Sequence, residues 1–222
     1  FFGRYTGKTK GGPAFRMPHE EILGNLDDQE LRQTVAQAIQ VLPQDGTVLR
    51  DWKNRVAGTR KRLTLELGGK AAHLIFEDAP IDQAVEGVIA GIFFNQGHVC
   101  CAGSRLLIQE NIQDEFLEKL KRRMSQIRLG DPLDKNTDIG AINSREQLEK
   151  ITELAISGDT EGAERFSAAC TIPAKGFWYP PTFFTGVTQA HRIAREEIFG
   201  PVLSVISFRT PQEAIEKASQ HE

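Results

Sequence analysis

From Leu63 onward, short apolar runs of strand length alternate with amphipathic segments of helical period. Apolar side chains recurring every three or four residues bury one face of a helix, whereas short apolar runs between turn residues are typical of strands. Strands that alternate with helices are joined by crossovers and pair in parallel. The pattern therefore predicts an α/β domain with a largely parallel sheet.

Individual elements follow from the same pattern. Capping pairs predict helix starts, because a side-chain oxygen at that position accepts a bond from a free backbone N–H. The pairs are Asp27 with Glu30, Asn111 with Asp114, and Ser144 with Gln147. The expected strands are 61–66, 72–76 (buried), 105–109 and 202–208, a rigid turn is expected at 179–182, and further helices are expected at 48–57, from 81 and from 211.

Composition excludes several classes of function. The net charge of -3 over 222 residues gives no reason to expect binding to nucleic acid or to an anionic membrane. The longest apolar run, 87–94, is too short to cross a bilayer. Three cysteines, two of them adjacent, do not form a disulfide framework, so a reducing, cytoplasmic compartment is expected. Because the chain begins at Phe1 and not at Met, we expect a fragment, a processed form or an incomplete sequence.

Small residues surround the adjacent pair Cys100 and Cys101. A nucleophilic thiol has to be reached by substrate and stabilised as thiolate, and small neighbours leave room for both. Backbone N–H groups in such a turn can also hold an oxyanion. The alternative interpretation is two buried structural thiols, which is how free cysteine usually packs. Cys170 is interpreted as structural.

Two further segments carry carboxylates beside glycine. Glu66 ends a strand-like run and precedes Gly68 and Gly69, whose backbone can approach a ligand closely. A base at Glu66 would activate water. Glu196 or Glu197, before a Gly-Pro break, could accept hydrogen bonds from sugar hydroxyls. In both segments the alternative is a solvated carboxylate at the end of an element.

His98 could act as the base for Cys100, which would define a cysteine–histidine hydrolase. Residues two positions apart rarely face each other well, which disfavours this reading. The cysteine and histidine spacings do not suit zinc, so no metal site is expected. No glycine-rich phosphate loop of the Walker or dinucleotide type is present in the sequence.

Three segments in this order resemble the aldehyde dehydrogenase superfamily: 65–70, 94–105 and 196–202. The resemblance covers about residues 60 to 218 and is nearest to the hydrolytic, non-acylating branch. It implies an aldehyde-dehydrogenase-like catalytic domain, which is an α/β fold of three layers with a largely parallel sheet. The activity it implies is oxidation of an aldehyde to a carboxylic acid with NAD or NADP.

The resemblance also assigns roles to residues. Cys100 would be the nucleophile that forms a thiohemiacetal and then a thioester, and Glu66 would activate the water that releases the acid. The cofactor-binding residues it implies are Glu197, Phe199, Gly68 and Gly69, of which Glu197 would hold the nicotinamide ribose. His98 stands where the superfamily usually has Gln or Glu.

The resemblance divides the chain into three parts. Residues 69–222 would be the catalytic domain, incomplete at its C-terminal end, 46–68 a remnant of the coenzyme-binding domain, and 1–45 an unmatched segment. Full-length members form homo-oligomers. Because the coenzyme-domain motifs are not found here, two alternatives stay open: a truncated, non-catalytic protein, or a thiol esterase that uses Cys100 and Glu66 without a cofactor.

Overall fold

The computed structural model describes residues 54, 56–59 and 68–219. The chain divides into two units, Phe1–Leu67 and Gly68–Glu222, and every strand discussed below belongs to the second unit.

Several predictions fall in the first unit. The helix expected from Asp27, the strand expected at 61–66 and the candidate base Glu66 all lie outside the described residues. Of the helix expected at 48–57, Asn54 and Val56 are described as helical.

The described part of the second unit contains five strands and five α-helices. The strands are β1 (Ala72–Ile75), β2 (Arg105–Gln109), β3 (Glu164–Ser167), β4 (Thr182–Thr185) and β5 (Val202–Phe208). The helices are α1 (Ile81–Phe93), α2 (Gln113–Met124), α3 (Arg145–Thr160), α4 (Arg192–Arg195) and α5 (Pro211–Ser219). Two 3-10 turns, Phe94–Gly97 and Glu110–Ile112, follow α1 and β2.

The strands form one sheet in the order β1-β2-β5-β4-β3. All neighbouring pairs are parallel except β3 and β4, which are antiparallel. The predicted α/β fold with a largely parallel sheet is confirmed. The last strand in the sequence therefore lies in the middle of the sheet.

Helices cover both faces of the sheet. Successive side chains of the central strands point to opposite sides, so each strand packs against helices on both faces. Leu106 and Ile108 of β2 pack with α1 and α2, whereas Leu107 packs with α3 and α4. In β4, Phe183 and Phe184 divide between the two sides in the same way. Strands buried on both faces have nearly continuous apolar sequences, and for this reason the sequence predicts β2 and β5.

The edges of the sheet differ from the expectation. The strand expected to be buried, β1, is an edge strand, and Leu74 is 38% exposed. The expected rigid turn at 179–182 ends where β4 begins, and neither β4 nor its antiparallel partner β3 was predicted. These strands are only four residues long and carry polar residues, so they lack the pattern that identifies β2 and β5.

The capping predictions had opposite outcomes. Ser144 caps α3, since its Oγ accepts a bond from the backbone N–H of Gln147 at 3.1 Å. The prediction that Asn111 caps α2 is wrong: the 3-10 turn shifts the helix start, and Asn111 donates its side-chain amide to Glu77.

Candidate functional site

The three sequence motifs meet because each directly precedes one of three adjacent parallel strands. Residues 68–70 lead into β1, residues 97–104 into β2, and residues 197–201 into β5. Neighbouring parallel strands start at the same edge of a sheet, so all three segments lie at the amino ends of the strands. Open α/β sheets usually bind ligands at the carboxyl ends of their strands, so a site at the amino ends differs from the usual arrangement.

The cysteine segment leaves α1 through an unusual turn. Asn95, Gln96 and Gly97 have φ values of 49°, 59° and 74°, which lie in the left-handed region. Residues other than Gly rarely adopt this backbone conformation, which costs them about 1–2 kcal/mol each. Contacts outside the turn must offset that cost. One of them is the bond from the backbone N–H of Gly140 to Gln96 Oε1, at 3.1 Å.

Gly97 touches the third motif backbone to backbone. A Cβ atom placed on Gly97 would lie 2.2 Å from the carbonyl oxygen of Gly200. Gly200 is confined in turn, because a Cβ atom there would lie 2.6 Å from the side chain of Ile151 in α3. Two glycines thus allow the cysteine segment (residues 94–105), the acidic turn (residues 196–201) and α3 to pack in direct contact.

A second contact joins the same two segments. The His98 and Phe199 rings are stacked, with centroids 5.6 Å apart and planes 10° from parallel. Phe199 has a φ of 56°, and Gln147 Nε2 donates to the carbonyl oxygens of Ile198 and Phe199, each at 2.9 Å. The side chain of Gln147 therefore serves the acidic turn and does not complete the capping box suggested by the sequence.

Of the two candidate carboxylates, Glu197 is the one that lines a pocket together with Cys100. Glu196 is paired with Arg192, whose Nε donates to Glu196 Oε1 at 2.6 Å and lowers the Glu196 pKa. Glu197 Oε2 lies against Gly68, 3.3 Å from the position of a Cβ atom there, and its carboxylate accepts a bond from the Gly69 N–H. Burial raises the pKa of Glu197.

Lys70, which follows Gly69 in the sequence, is completely buried, with 1% of its surface exposed. Among the described residues its Nζ has no hydrogen-bond partner. Burial, with the positive charge of Arg105 as a smaller cause, lowers the Lys70 pKa from 10.5 to about 7, and Glu197 opposes that shift. Lys70 is therefore a buried amine that loses its proton more readily than an exposed lysine does.

Arg105, the first residue of β2, fixes the backbone beside Lys70. Its Nε donates to the carbonyl oxygen of Lys70 at 2.8 Å, and its terminal nitrogens donate to the carbonyls of Lys217 and Ala218 at 3.0 and 2.8 Å. A cation at the last carbonyls of α5 satisfies groups that a helix end leaves free.

All three cysteines are free thiols, and Cys100 and Cys101 are exposed. Cys170 is half-buried, and burial raises the pKa of its thiol. A pocket is lined by Gly69, Gly97, Val99, Cys100, Ala102, Ser104, Glu197, Phe199 and Gly200. It holds a thiol, a carboxylate and an aromatic ring drawn from the three motifs.

No hydrogen bond joins the imidazole of His98 to the thiol of Cys100 in the described structure, and Nε2 of His98 is buried without a partner. The ring instead packs against Phe199. The arrangement does not support a Cys–His pair as the catalytic unit.

The sequence predicts Cys100, Gly68, Gly69, Glu197 and Phe199 as site residues. The structure places four of them around one pocket, and Gly68 lies next to Glu197. The sequence does not predict the bonds made by Gln147 or the stacking of His98 on Phe199. The only signal for Gln147 was its position in a capping pair.

Two further classes of function find no support in the described residues. Within residues 54, 56–59 and 68–219, no three His, Cys, Asp or Glu side chains are grouped to hold a metal ion. None of the helices in this part of the chain is long and apolar enough to cross a membrane.

The largely parallel α/β sheet thus brings an exposed thiol and a half-buried carboxylate to one pocket at the starts of its strands. Residues 47–222 match the model of the aldehyde dehydrogenase family, and the chain belongs to that family.

Known proteins agree with this assignment. The chain is 46% identical over 159 residues to retinal dehydrogenase 2 of Taeniopygia guttata, a match that covers 72% of this chain and 31% of that protein. The structure is similar to an NAD-dependent aldehyde dehydrogenase from Sinorhizobium meliloti, with a TM-score of 0.73, 42% identity and coverage of 79% of this chain and 35% of that one.

A betaine aldehyde dehydrogenase from Staphylococcus aureus, solved in complex with NAD+, is also similar, with a TM-score of 0.72, 35% identity and coverage of 78% of this chain and 34% of that one. The chain spans about a third of the length of these relatives.

Proposed function

We propose that this chain carries the thiol site of an NAD(P)-dependent aldehyde dehydrogenase, which oxidises an aldehyde to a carboxylic acid. The observation that carries the proposal is the shared pocket of Cys100, Glu197 and Phe199, formed by three motifs that are distant in the sequence. Membership of the aldehyde dehydrogenase family and the likeness to NAD-bound relatives support it.

In the proposed reaction, the thiolate of Cys100 attacks the aldehyde carbon, and the carbonyl oxygen becomes the oxyanion of a thiohemiacetal. The Cys100 backbone N–H has no acceptor among the described residues, so it is free to donate to that oxyanion. Loss of hydride from the substrate carbon leaves a thioester on Cys100. Water then attacks the thioester, the acid leaves, and the thiol is regenerated.

A nicotinamide cofactor, when bound, accepts the hydride. The residues of the pocket fit its ribose end, because an ionised carboxylate accepts hydrogen bonds from sugar hydroxyls. Glu197 is held by the Gly69 N–H, and a Cβ atom placed on Gly69 would meet no atom within 4 Å, so open space lies beside the carboxylate. Phe199 would form the wall against the nicotinamide end, and Gly68 lets Glu197 sit close to the backbone.

The base that activates water is proposed to be Glu66. This role follows from the superfamily resemblance, since Glu66 lies outside the described residues. The division into a catalytic part from residue 69 and a coenzyme-domain part at 46–68 is likewise a proposal. It is supported by the family match, which begins at residue 47, and by the unit boundary at Leu67.

The proposal also includes an aldehyde as substrate, homo-oligomerisation and a cytoplasmic location. Three free thiols, two of them exposed, are in keeping with a reducing compartment.

The test is NAD(P)H formation by the purified chain with a panel of aldehydes. The variant Cys100→Ser should abolish it, whereas the matched variant Cys101→Ser should retain it, because both thiols are exposed but only Cys100 lines the pocket. Equal loss in both variants would contradict the assignment of the nucleophile.

The same preparation separates the alternatives. Hydrolysis of an aryl ester that needs Cys100 but no NAD(P)H formation would indicate the cofactor-independent thiol esterase. A folded chain without either activity would indicate the non-catalytic protein.

A further inference from the structure

We propose that His98 is a positioning residue whose imidazole supports the Phe199 ring as a fixed wall of the pocket that contains Cys100. The part of the proposal that concerns the cofactor rests on the proposed function above. His98 stands where the superfamily usually has Gln or Glu, so the support is a feature of this chain and does not come with the family assignment.

The first argument is the geometry of the two rings. A centroid distance of 5.6 Å with planes 10° from parallel is within the range of favourable stacking between planar rings. Such pairs contribute about 0.5–1.5 kcal/mol beyond the area they bury. Both rings lie in segments that face the pocket, and Phe199 itself lines it.

The second argument is that Phe199 needs support. Its φ of 56° is unfavourable for an aromatic residue, so the turn does not hold this conformation by local preference. Gln147 fixes the backbone of the turn through the carbonyls of Ile198 and Phe199. Those bonds leave the direction of the Phe199 ring free, and the ring is held by the stack with His98.

The third argument is that His98 is itself rigid. Its backbone N–H donates to the carbonyl of Asn95 at 2.9 Å, and Asn95 Nδ2 donates back to the carbonyl of His98 at 3.2 Å. The imidazole Nε2 is buried and has no hydrogen-bond partner among the described residues. A polar ring kept there without a hydrogen bond is held for its plane and not for its proton.

Three chains test the proposal: wild type, His98→Leu, which removes the plane at similar bulk, and His98→Phe, which restores a planar ring. Binding of NAD+ is measured by calorimetry. We expect the dissociation constant to rise about three- to tenfold in His98→Leu and to stay within about twofold of wild type in His98→Phe. Equal dissociation constants in all three chains, or equal losses in both variants, would overturn the proposal.

The stack has a readout that needs no cofactor. In carbon-detected spectra of the histidine rings, the His98 signal, identified by its loss in His98→Phe, should shift when Phe199→Leu removes the ring current. An unmoved signal would overturn the stack itself.

If wild type binds no NAD+, the proposed function fails, and the positioning role is decided by alkylation of Cys100 in a Cys101→Ser, Cys170→Ser background. His98→Leu should change the rate with the planar reagent N-phenylmaleimide but not with iodoacetamide, and His98→Phe should match wild type. Identical rates with N-phenylmaleimide in the three chains would overturn the proposal.

Discussion

Two connections lead from a helix into a strand, and they are built in opposite ways. After α3, Gly162 takes a φ of 94°, its N–H donates to the carbonyl of Asp159, and a Cβ atom there would meet nothing within 4 Å. After α1, three consecutive residues are left-handed, and Gly97 lies against the backbone of Gly200.

The first connection is a local solution, since a glycine after a helix satisfies the helix's own carbonyls. The second depends on a partner that is about a hundred residues away in the sequence. Unfavourable backbone conformations are therefore concentrated where tertiary contacts stabilise them, which in this protein is the pocket around Cys100.

The largest effect is expected from Gly97→Ala. A Cβ atom 2.2 Å from the Gly200 carbonyl oxygen, at a φ of 74°, has to push the cysteine segment away from the acidic turn. We expect a loss of about 2–5 kcal/mol in the free energy of unfolding. Urea denaturation followed by circular dichroism measures it.

The same variant tests the site as well as the fold. Alkylation of Cys100 by iodoacetamide should change rate in the fraction that stays folded. Unchanged stability and unchanged thiol reactivity would show that the two segments do not depend on each other.

The next effect concerns the buried amine of Lys70. Burial lowers the Lys70 pKa to about 7 in the folded protein, whereas the unfolded chain keeps a pKa near 10.5. Below about pH 7 both states are protonated and the cost of burying the ammonium is fully present. Between about pH 7 and 10.5 the folded protein releases the proton first, so this cost declines as pH rises.

Lys70→Met should therefore stabilise the protein by about 1–4 kcal/mol at pH 6, and the gain should shrink toward pH 10. Urea unfolding at pH 6 and pH 9.5 measures the difference. The control is Lys135→Met, which removes an exposed charge that does not act on Lys70 and should leave the pH dependence of stability unchanged. A gain for Lys70→Met that is the same at both pH values would contradict the buried-amine interpretation.

A smaller effect is expected from Gln147→Met, which keeps the length of the side chain but removes its two bonds to the acidic turn. The cap on α3 survives because the Gln147 backbone N–H still donates to Ser144. Unfolding free energy should fall by about 1–3 kcal/mol. The matched variant Ser144→Ala removes the cap alone and should cost about 1 kcal/mol without weakening NAD+ binding.

The smallest effect is expected from Gly162→Ala in the local connection. The added Cβ atom meets open space, so only the left-handed conformation opposes it, at about 1 kcal/mol. Thermal unfolding of this variant beside Gly97→Ala compares the two connections directly. A Gly162 variant as damaging as the Gly97 variant would remove the distinction between them.

Much of the fold could be predicted because burial and period agree along the chain. The strands at Arg105–Gln109 and Val202–Phe208 match the prediction to the residue, and α1 begins at Ile81, as predicted. The short strands β3 and β4 could not be found, since their polar residues interrupt the apolar run that identifies a strand. The position of β1 at the edge also depends on pairing, which no local pattern states.

The site divides in the same way. Motif residues such as Cys100 and Glu197 could be predicted from the sequence because their chemistry is visible in their neighbours. Gln147 could not, because its bonds reach across 51 and 52 residues to the acidic turn. The pairing of His98 with Phe199 is likewise a product of the folded chain.

The order of the sheet has a consequence for how the protein is made. The strand β5, which ends at Phe208, lies between β2 and β4, so it joins two pairs of strands that are synthesised earlier. Until β5 has left the ribosome, the β1–β2 pair and the β3–β4 pair lack the strand that joins them into one sheet. The apolar faces of both pairs then stay open during translation, and the thiol of Cys100 is made well before its pocket can close around it.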